Sequence, residues 1–306
     1  MNHVNWVLPL IVAGSAALVG VVADRWLGSV EVGSPRRMLL AWHGAALGCF
    51  LGLGASALLL AHDVWEQILL AALDVEKWVL HRAYAGSWDV PWGWNVAAAV
   101  PLIAASAVLV LVIRECLRAL EVRRAVDVVG SRPERGRLVV LEGAGPVAFC
   151  LAGRHPVVVL GRDLVDQLDE EEVAAVIAHE DAHLDRRHHL HVVWARVIGR
   201  LLSRIALMRR YAEMVERLVE LEADDLAVQA TGRRTLAGAL LKTGSPPAAT
   251  PGLAASGHGT ALRVRRLLHP PQSGRRGRTA CVTVLAATVA ELTAPFWPLV
   301  AVLVRQ

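Results

Sequence analysis

His179-Glu180-Asp181-Ala182-His183 spells HExxH inside a stretch that otherwise reads as helix. Residues four apart on a helix lie one turn apart on the same face, so His179 and His183 can each direct an imidazole nitrogen at one metal ion. Glu180 then projects beside that metal, where a carboxylate takes the proton from a metal-activated water and makes it a nucleophile for a peptide carbonyl. The residue types and their spacing imply a zinc-dependent peptidase helix, although three fixed residues need context to carry that meaning. The flanking sequence supplies it. Leu168-Asp169-Glu170-Glu171-Glu172 gives a first turn rich in acids, and Val173, Val176, Ile177 and Leu184 recur at helical spacing as an apolar face behind the histidines.

The third ligand decides the kind of site. One arrangement places a histidine six residues past the second, through a glycine that breaks the helix. His189 stands at that spacing, but the glycine position holds Arg186. An unbroken helix is expected to swing His189 away from the His179/His183 face. The other arrangement takes a glutamate from a later helix, which Val219-Glu220-Leu221-Glu222-Ala223-Asp224-Asp225-Leu226-Ala227 offers 37 residues after His183. Glu220 and Asp224 form ExxxD: a ligand and, one turn on, a carboxylate that accepts a hydrogen bond from a ligating imidazole and fixes its orientation. Glu222 and Asp225 stand beside them as rivals. Leu218, Leu221 and Ala227 make this helix amphipathic, whereas Glu213 and Glu216 suit a solvated face.

With these residues in place the sequence resembles a known group. The HEDAH helix, the ELEAD helix and the preceding Val157-Val158-Val159-Leu160-Gly161-Arg162-Asp163-Leu164 strand and turn look like the zinc peptidase domain of the BlaR/MecR antirepressor family of membrane-bound gluzincins. Several of its members sense β-lactams and inactivate a transcriptional repressor. The resemblance implies that His179, His183 and Glu220 are the zinc ligands, Glu180 the catalytic base, and Asp224 the acid that orients a ligating histidine. It covers roughly residues 114–304 by motif and the whole chain by layout. It also implies a protein substrate, in the form of a BlaI/MecI-type winged-helix repressor. Because the sequence ends at Arg305-Gln306, the expectation is of a member lacking the extracellular penicillin-binding sensor domain.

Composition sets the layout. The 306 residues are 55% hydrophobic and 20% charged, with mean hydropathy +0.43, more apolar than a soluble domain normally is. Residues 4–23, 38–61 and 90–113 are uncharged runs, each long enough to cross a hydrocarbon core of ~30 Å as a helix. A fourth run, 279–304, is interrupted by Glu291. Met1-Asn2-His3-Val4 has no basic leader and no small-residue cleavage site precedes Asp24, so the first run is expected to be retained rather than cleaved. The expected fold is a mainly α integral membrane protein. It has three transmembrane helices in 1–113, a cytoplasmic α+β gluzincin zinc-peptidase domain in 114–278, and a fourth transmembrane helix in 279–306.

Orientation follows from the arginines, because basic loops stay in the cytoplasm. Arg25, Arg36 and Arg37 mark the first loop as inside, as do Arg114, Arg118, Arg123 and Arg124 after the third run and Arg275, Arg276 and Arg278 before the fourth. The zinc domain is therefore expected in the cytoplasm and both termini outside, in a multi-pass protein of the cell membrane. The heat-shock membrane protease HtpX group has a similar zinc motif but places it after two helices. Its membrane-protein quality control is the alternative function, and a non-cleaving membrane signalling scaffold is another.

Other features add detail. Leu138-Val139-Val140-Leu141, Val147-Ala148-Phe149-Cys150-Leu151 and Pro156-Val157-Val158-Val159-Leu160 predict a small antiparallel sheet in front of the zinc helix, whose free edge could hold an extended substrate. Residues 62–89 predict an amphipathic helix on the membrane, with Trp88, Trp92 and Trp94 at the interface. Residues 188–208 predict a helix whose Arg196, Arg200 and Arg204 face headgroups, and whose His188, His189 and His191 lack carboxylates at ligand spacing. Residues 243–260 read as a mobile loop leading to Arg263, Arg265 and Arg266. The arginine excess, with pI near 9.2, fits anionic lipid rather than nucleic acid. Cys49, Cys116, Cys150 and Cys281 show no CxxC spacing, and no disulfide or cysteine zinc site is expected. Glu291 is a functional suspicion as an ionisable group within an apolar run, and Tyr211 is the one candidate oxyanion stabiliser.

Overall fold

The computed structural model describes residues 7–29, 32–73, 106–124, 137–243, 256–271 and 275–293. The chain divides into two compact units, one comprising residues 1–29, 41–110 and 279–306, the other 30–40 and 111–278.

In the first unit, helix α1 spans Val7–Ser29 and α2 spans Pro35–Leu73. Both contain a segment long and apolar enough to cross a membrane, Leu10–Gly28 and Pro35–Ala57. Leu10, Ile11, Leu18 and Val21 of α1 are exposed. A row of bare aliphatic side chains on a helix of this length has the surface that lipid covers, which supports membrane association. The expected second run ended at residue 61, but α2 continues to Leu73 as one helix of 39 residues. The sequence from Ala55 to Leu73 has no glycine or proline to stop it. Residues 74–105, which hold the tryptophan-rich segment and most of the third run, lie outside the described residues; 106–124 are helical (α3). The last helix among the described residues spans Arg275–Thr293 and includes the shorter apolar stretch Gly277–Ala290. Its Leu285 lies so close to α2 that a Cβ on Gly44 would meet Leu285 Cδ2 at 2.8 Å. Residues 294–306 lie outside the described residues.

The second unit is built on three short strands, β1 (Leu138–Leu141), β2 (Ala148–Leu151) and β3 (Val157–Gly161), in the order β1-β3-β2. The sheet is mixed rather than antiparallel. β3 pairs antiparallel with β2 but parallel with β1, Leu138 opposite Val158 and Val140 opposite Leu160. β3 takes the centre because its residues can be buried on both faces. Val158 and Leu160 pack with Leu164, Val176 and Leu184, while Val159 packs with Val139 and Leu141 on the other side. Gly161 closes the strand where nothing larger fits: an added Cβ would stand 1.9 Å from the Gly145 carbonyl oxygen.

After the short helix α4 (Arg162–Gln167), α5 runs from Glu170 to Asp185. Asp169 caps it, accepting from the Glu172 N–H while the Glu172 carboxylate accepts from the Asp169 N–H, a reciprocal capping box. The Lys242 ammonium of α8 (Arg233–Thr243) also reaches Glu172. The apolar face of α5 read from the sequence packs on the sheet through Val173, Val176, Ile177 and Leu184. Contrary to the expectation of an unbroken helix, α5 ends at Arg186, and Arg187 adopts a left-handed conformation (φ 53, ψ 40) before α6 (His188–Leu201) begins. Arg196 and Arg200 of α6 pair with Glu216 (2.6 Å) and with Glu115 of α3. Helices α7 (Ala206–Thr231) and α9 (Ser256–Leu268) complete the unit; the Arg275–Thr293 helix is α10.

The left-handed Arg187 yields a test. An L side chain in that region costs about 1–2 kcal/mol, and glycine removes this cost while adding about 0.4–1 kcal/mol of unfolded-chain entropy. Arg187→Gly is expected to change stability little, while Arg187→Val, branched at Cβ, lowers the thermal midpoint and with it zinc affinity. Equal thermal midpoints for the two variants would show that this turn is not held as described.

Candidate metal centre

Small residues bring the two histidine- and acid-bearing helices together. Ala175 and Ala182 of α5 and Ala223 and Ala227 of α7 are buried, so the backbones approach closely and the Glu220 side chain reaches the turn between His179 and His183. His183 Nε2 lies 3.1 Å from His179 Nε2. Glu220 Oε2 is 3.5 Å from His179 Nε2, and Glu220 Oε1 is 3.4 Å from His183 Nε2. Ligands at 2.0–2.2 Å on the corners of a tetrahedron stand about 3.3–3.6 Å apart, so these separations fit one zinc ion. The donor set, two imidazoles and a carboxylate, is also one zinc accepts, and it leaves the fourth corner open, as in zinc sites that do chemistry. The Glu220 side chain is 40% exposed, so the donor set is reached from solvent on the Glu220 side.

Each imidazole is approached from behind. Asp224, only 1% exposed, sets Oδ1 3.2 Å from His179 Nδ1. His188, equally buried, sets Nδ1 2.9 Å from His183 Nδ1, and Glu222 Oε2 lies 3.5 Å from His188 Nε2. Burial disfavours a charged His179, but the Asp224 and Glu220 carboxylates outweigh it and hold this group up at about 9. Burial, with His179 and His188 adding to it, pushes His183 down to about 3. The pocket thus favours a positive charge at the His179 end without letting both rings carry one.

Arg263 of α9 supplies further positive charge. Its guanidinium makes a bidentate pair with Asp224 (Nε to Oδ2 2.8 Å, Nη2 to Oδ1 2.6 Å). It also donates to Glu220 Oε2 at 2.8 Å and stands 3.3 Å from His179 Nε2. Burial opposes ionisation of Glu220, yet its contacts with His179 and Arg263 keep it well below the usual carboxylate range. Arg266 forms a second bidentate pair, with Asp225, at 2.6 and 2.9 Å. Arg263 and Arg266, read from the sequence only as following a loop and as part of the arginine excess, both point into the unit, because α7 presents two adjacent aspartates to them. The available signal was the spacing, since the two arginines flank the apolar Val264, which is buried with Leu267 against Ala175 and Ala227.

Glu180 follows His179 on α5 and faces β2. Its carboxyl is pushed up, first by burial and then by the Glu220 charge, while the neighbouring Cys150 thiol counters the rise. Burial and the Glu180 charge push that thiol well up in turn. Cys150 pairs with Val158 in register and shares its face toward α5, so a cysteine with no motif around it belongs to the site. The rivals of Glu220 lie elsewhere. His189 is exposed, Asp225 is taken by Arg266, and Glu222 is turned to His188. Tyr211 is wholly buried, with its hydroxyl pushed up by that burial.

Comparison with known proteins gives a partial match. The model of Peptidase family M48 matches residues 117–209, which take in the sheet and the HExxH helix and stop short of Glu220. No curated protein matches the chain. The crystal structure of S. mikatae Ste24p aligns at 13% identity and a TM-score of 0.32, covering 87% of this chain and 100% of that one. Over residues 117–209 the chain is similar to a family of metallopeptidases, Peptidase family M48.

Proposed function

We propose that the protein is a membrane-embedded zinc endopeptidase, with His179, His183 and Glu220 as ligands, Glu180 as base and Asp224 orienting His179. The observation that carries this reading is the convergence of three ligand atoms, all within 4.8 Å of one another, beside the partly buried Glu180. Zinc held there supplies Lewis acidity, making water acidic near neutral pH and polarising a carbonyl. Glu180 accepts the proton of the attacking water and delivers it to the leaving amine. Its burial suits both halves of that task, since it keeps the carboxylate basic. The β2 strand, an edge of the described sheet, lies against α5 and offers N–H and C=O groups from Ala148 to Leu151 to an extended chain. A substrate added there as a further strand presents one peptide bond to the cleft.

Arginine placement supports a cytoplasmic active site with both termini outside, four membrane spans, and soluble cytoplasmic substrates. The HEDAH and ELEAD motifs resemble those of the BlaR/MecR family, which points to a BlaI/MecI-type repressor cleaved in response to cell-wall stress or antibiotic. Membrane-protein quality control is the second reading. The matching family model, described only as a peptidase, fits both readings.

Glu180→Gln keeps all three ligands, so it is expected to retain zinc while losing cleavage of a casein-like unfolded substrate by at least about 100-fold; His183→Ala loses both. Equal proteolysis by wild type and Glu180→Gln would overturn the enzyme reading built on Glu180, and cleavage by neither would leave the scaffold. The two enzymatic readings separate in cells under cell-wall stress. Repressor levels that fall with the wild type and hold with Glu180→Gln support the signalling role. Unchanged repressor with accumulation of damaged membrane proteins supports quality control.

A further inference from the structure

The contacts behind His183 differ in kind from those behind His179. His179 meets a carboxylate directly, whereas His183 meets another imidazole, and two imidazole nitrogens can share one hydrogen only if one of them is protonated and the other is not. The Nδ1 of His183 and the Nδ1 of His188 are 2.9 Å apart. For His183 to offer a lone pair at Nε2, its hydrogen must sit on Nδ1 and be donated to His188. His188 must then accept at Nδ1 and carry its own hydrogen on Nε2. That nitrogen is buried and has no hydrogen-bonded partner, and the atom beside it is Glu222 Oε2 at 3.5 Å. The side chains of His188 and Glu222 are 2% and 10% exposed, so water does not readily replace either partner. One assignment of hydrogens gives every atom in the row a counterpart: His188 directs its hydrogen at the Glu222 carboxylate 3.5 Å away, His188 accepts from His183, and His183 is left with a free Nε2.

We propose that His188 and Glu222 form a relay that fixes His183 in its metal-binding tautomer, so that a carboxylate on α7 positions a ligand on α5 through an intervening imidazole. The proposal rests on the metal centre argued above and assigns positioning roles to two residues outside the ligand set. The backbone makes it possible. The left-handed Arg187 turns the chain sharply after α5 and returns His188 to the back of His183, while Glu222 stands two residues beyond Glu220 on a different face of α7. Glu222 also lies 3.8 Å from Arg186 Nε, so a purely structural role for its charge is the competing account.

The two accounts separate in a substitution pair measured on the full-length protein in detergent, with zinc affinity read by competition against a chromophoric chelator. Asn carries its Oδ1 on the same carbon as the Nδ1 of histidine, so His188→Asn gives His183 a direct acceptor and makes Glu222 dispensable. Loss of a group that orients a metal-binding histidine costs 10–100-fold in affinity. Glu222→Gln is therefore expected to weaken zinc binding by about 10-fold in the wild-type background and not at all in the His188→Asn background. His188→Leu is expected to lose as much alone, and Arg186→Gln to lose nothing. Thermal midpoints check folding, and if His188→Leu fails to fold, the Glu222→Gln and His188→Asn pair still decides. Equal losses from Glu222→Gln in both backgrounds, or no loss in the wild type, would overturn the relay while leaving the metal centre intact. A wild type that binds no zinc would overturn both.

Discussion

The arrangement depends on one constraint: two imidazoles and a carboxylate are held with their nitrogens and oxygens 3.1 to 3.5 Å apart. With hydrogens on the outer nitrogens, the two Nε2 lone pairs face each other across that gap, and a glutamate closes the third side. Such a cluster repels itself unless a cation lies among its members. Keeping it assembled takes a rigid helix pair. The alanines at 175, 182, 223 and 227 set the spacing of that pair, the Asp169–Glu172 capping box fixes the start of α5, and the sheet holds its apolar face.

Charge explains the surroundings. Glu180, Glu220 and Asp224 bring three carboxyl groups together, and Arg263 is the cation of the described structure that meets them, touching Glu220, Asp224 and the metal-facing nitrogen of His179 at once. Arg263 and a metal ion would both draw on the His179 lone pair. The arginine thus supplies part of the positive charge the pocket requires, and its bidentate grip on Asp224 keeps that carboxylate aligned with His179. The same logic extends outward to Arg266 and Asp225, which tie α9 to α7.

Much of this was legible in the sequence because it depends on local periodicity. The 3.6-residue repeat places His179 and His183 together and Val173, Val176, Ile177 and Leu184 opposite them, and ExxxD puts Glu220 and Asp224 on one face of the next acidic helix. What periodicity does not carry is where a chain turns and which strands become neighbours. The strand segments were visible, but β3 entering between β1 and β2 is a question of topology, decided by which run can be buried on both faces. The break at Arg187 was hidden because a non-glycine residue adopts the left-handed conformation there. It is that break that makes His188, rather than the better-spaced His189, part of the site. Arg263 and Cys150 were missed for a related reason. Each is brought in by long-range packing, from α9 and from β2, and neither has a spacing relation to HExxH.

The most direct test of the central claim is X-ray absorption at the zinc edge on the purified full-length protein. The account predicts one zinc per chain, with a shell of nitrogen and oxygen at about 2.0–2.1 Å, the multiple-scattering pattern of two imidazoles, and loss of one light-atom scatterer in Glu220→Ala. Sulfur in the shell, three imidazoles, or a spectrum unchanged by Glu220→Ala would contradict it.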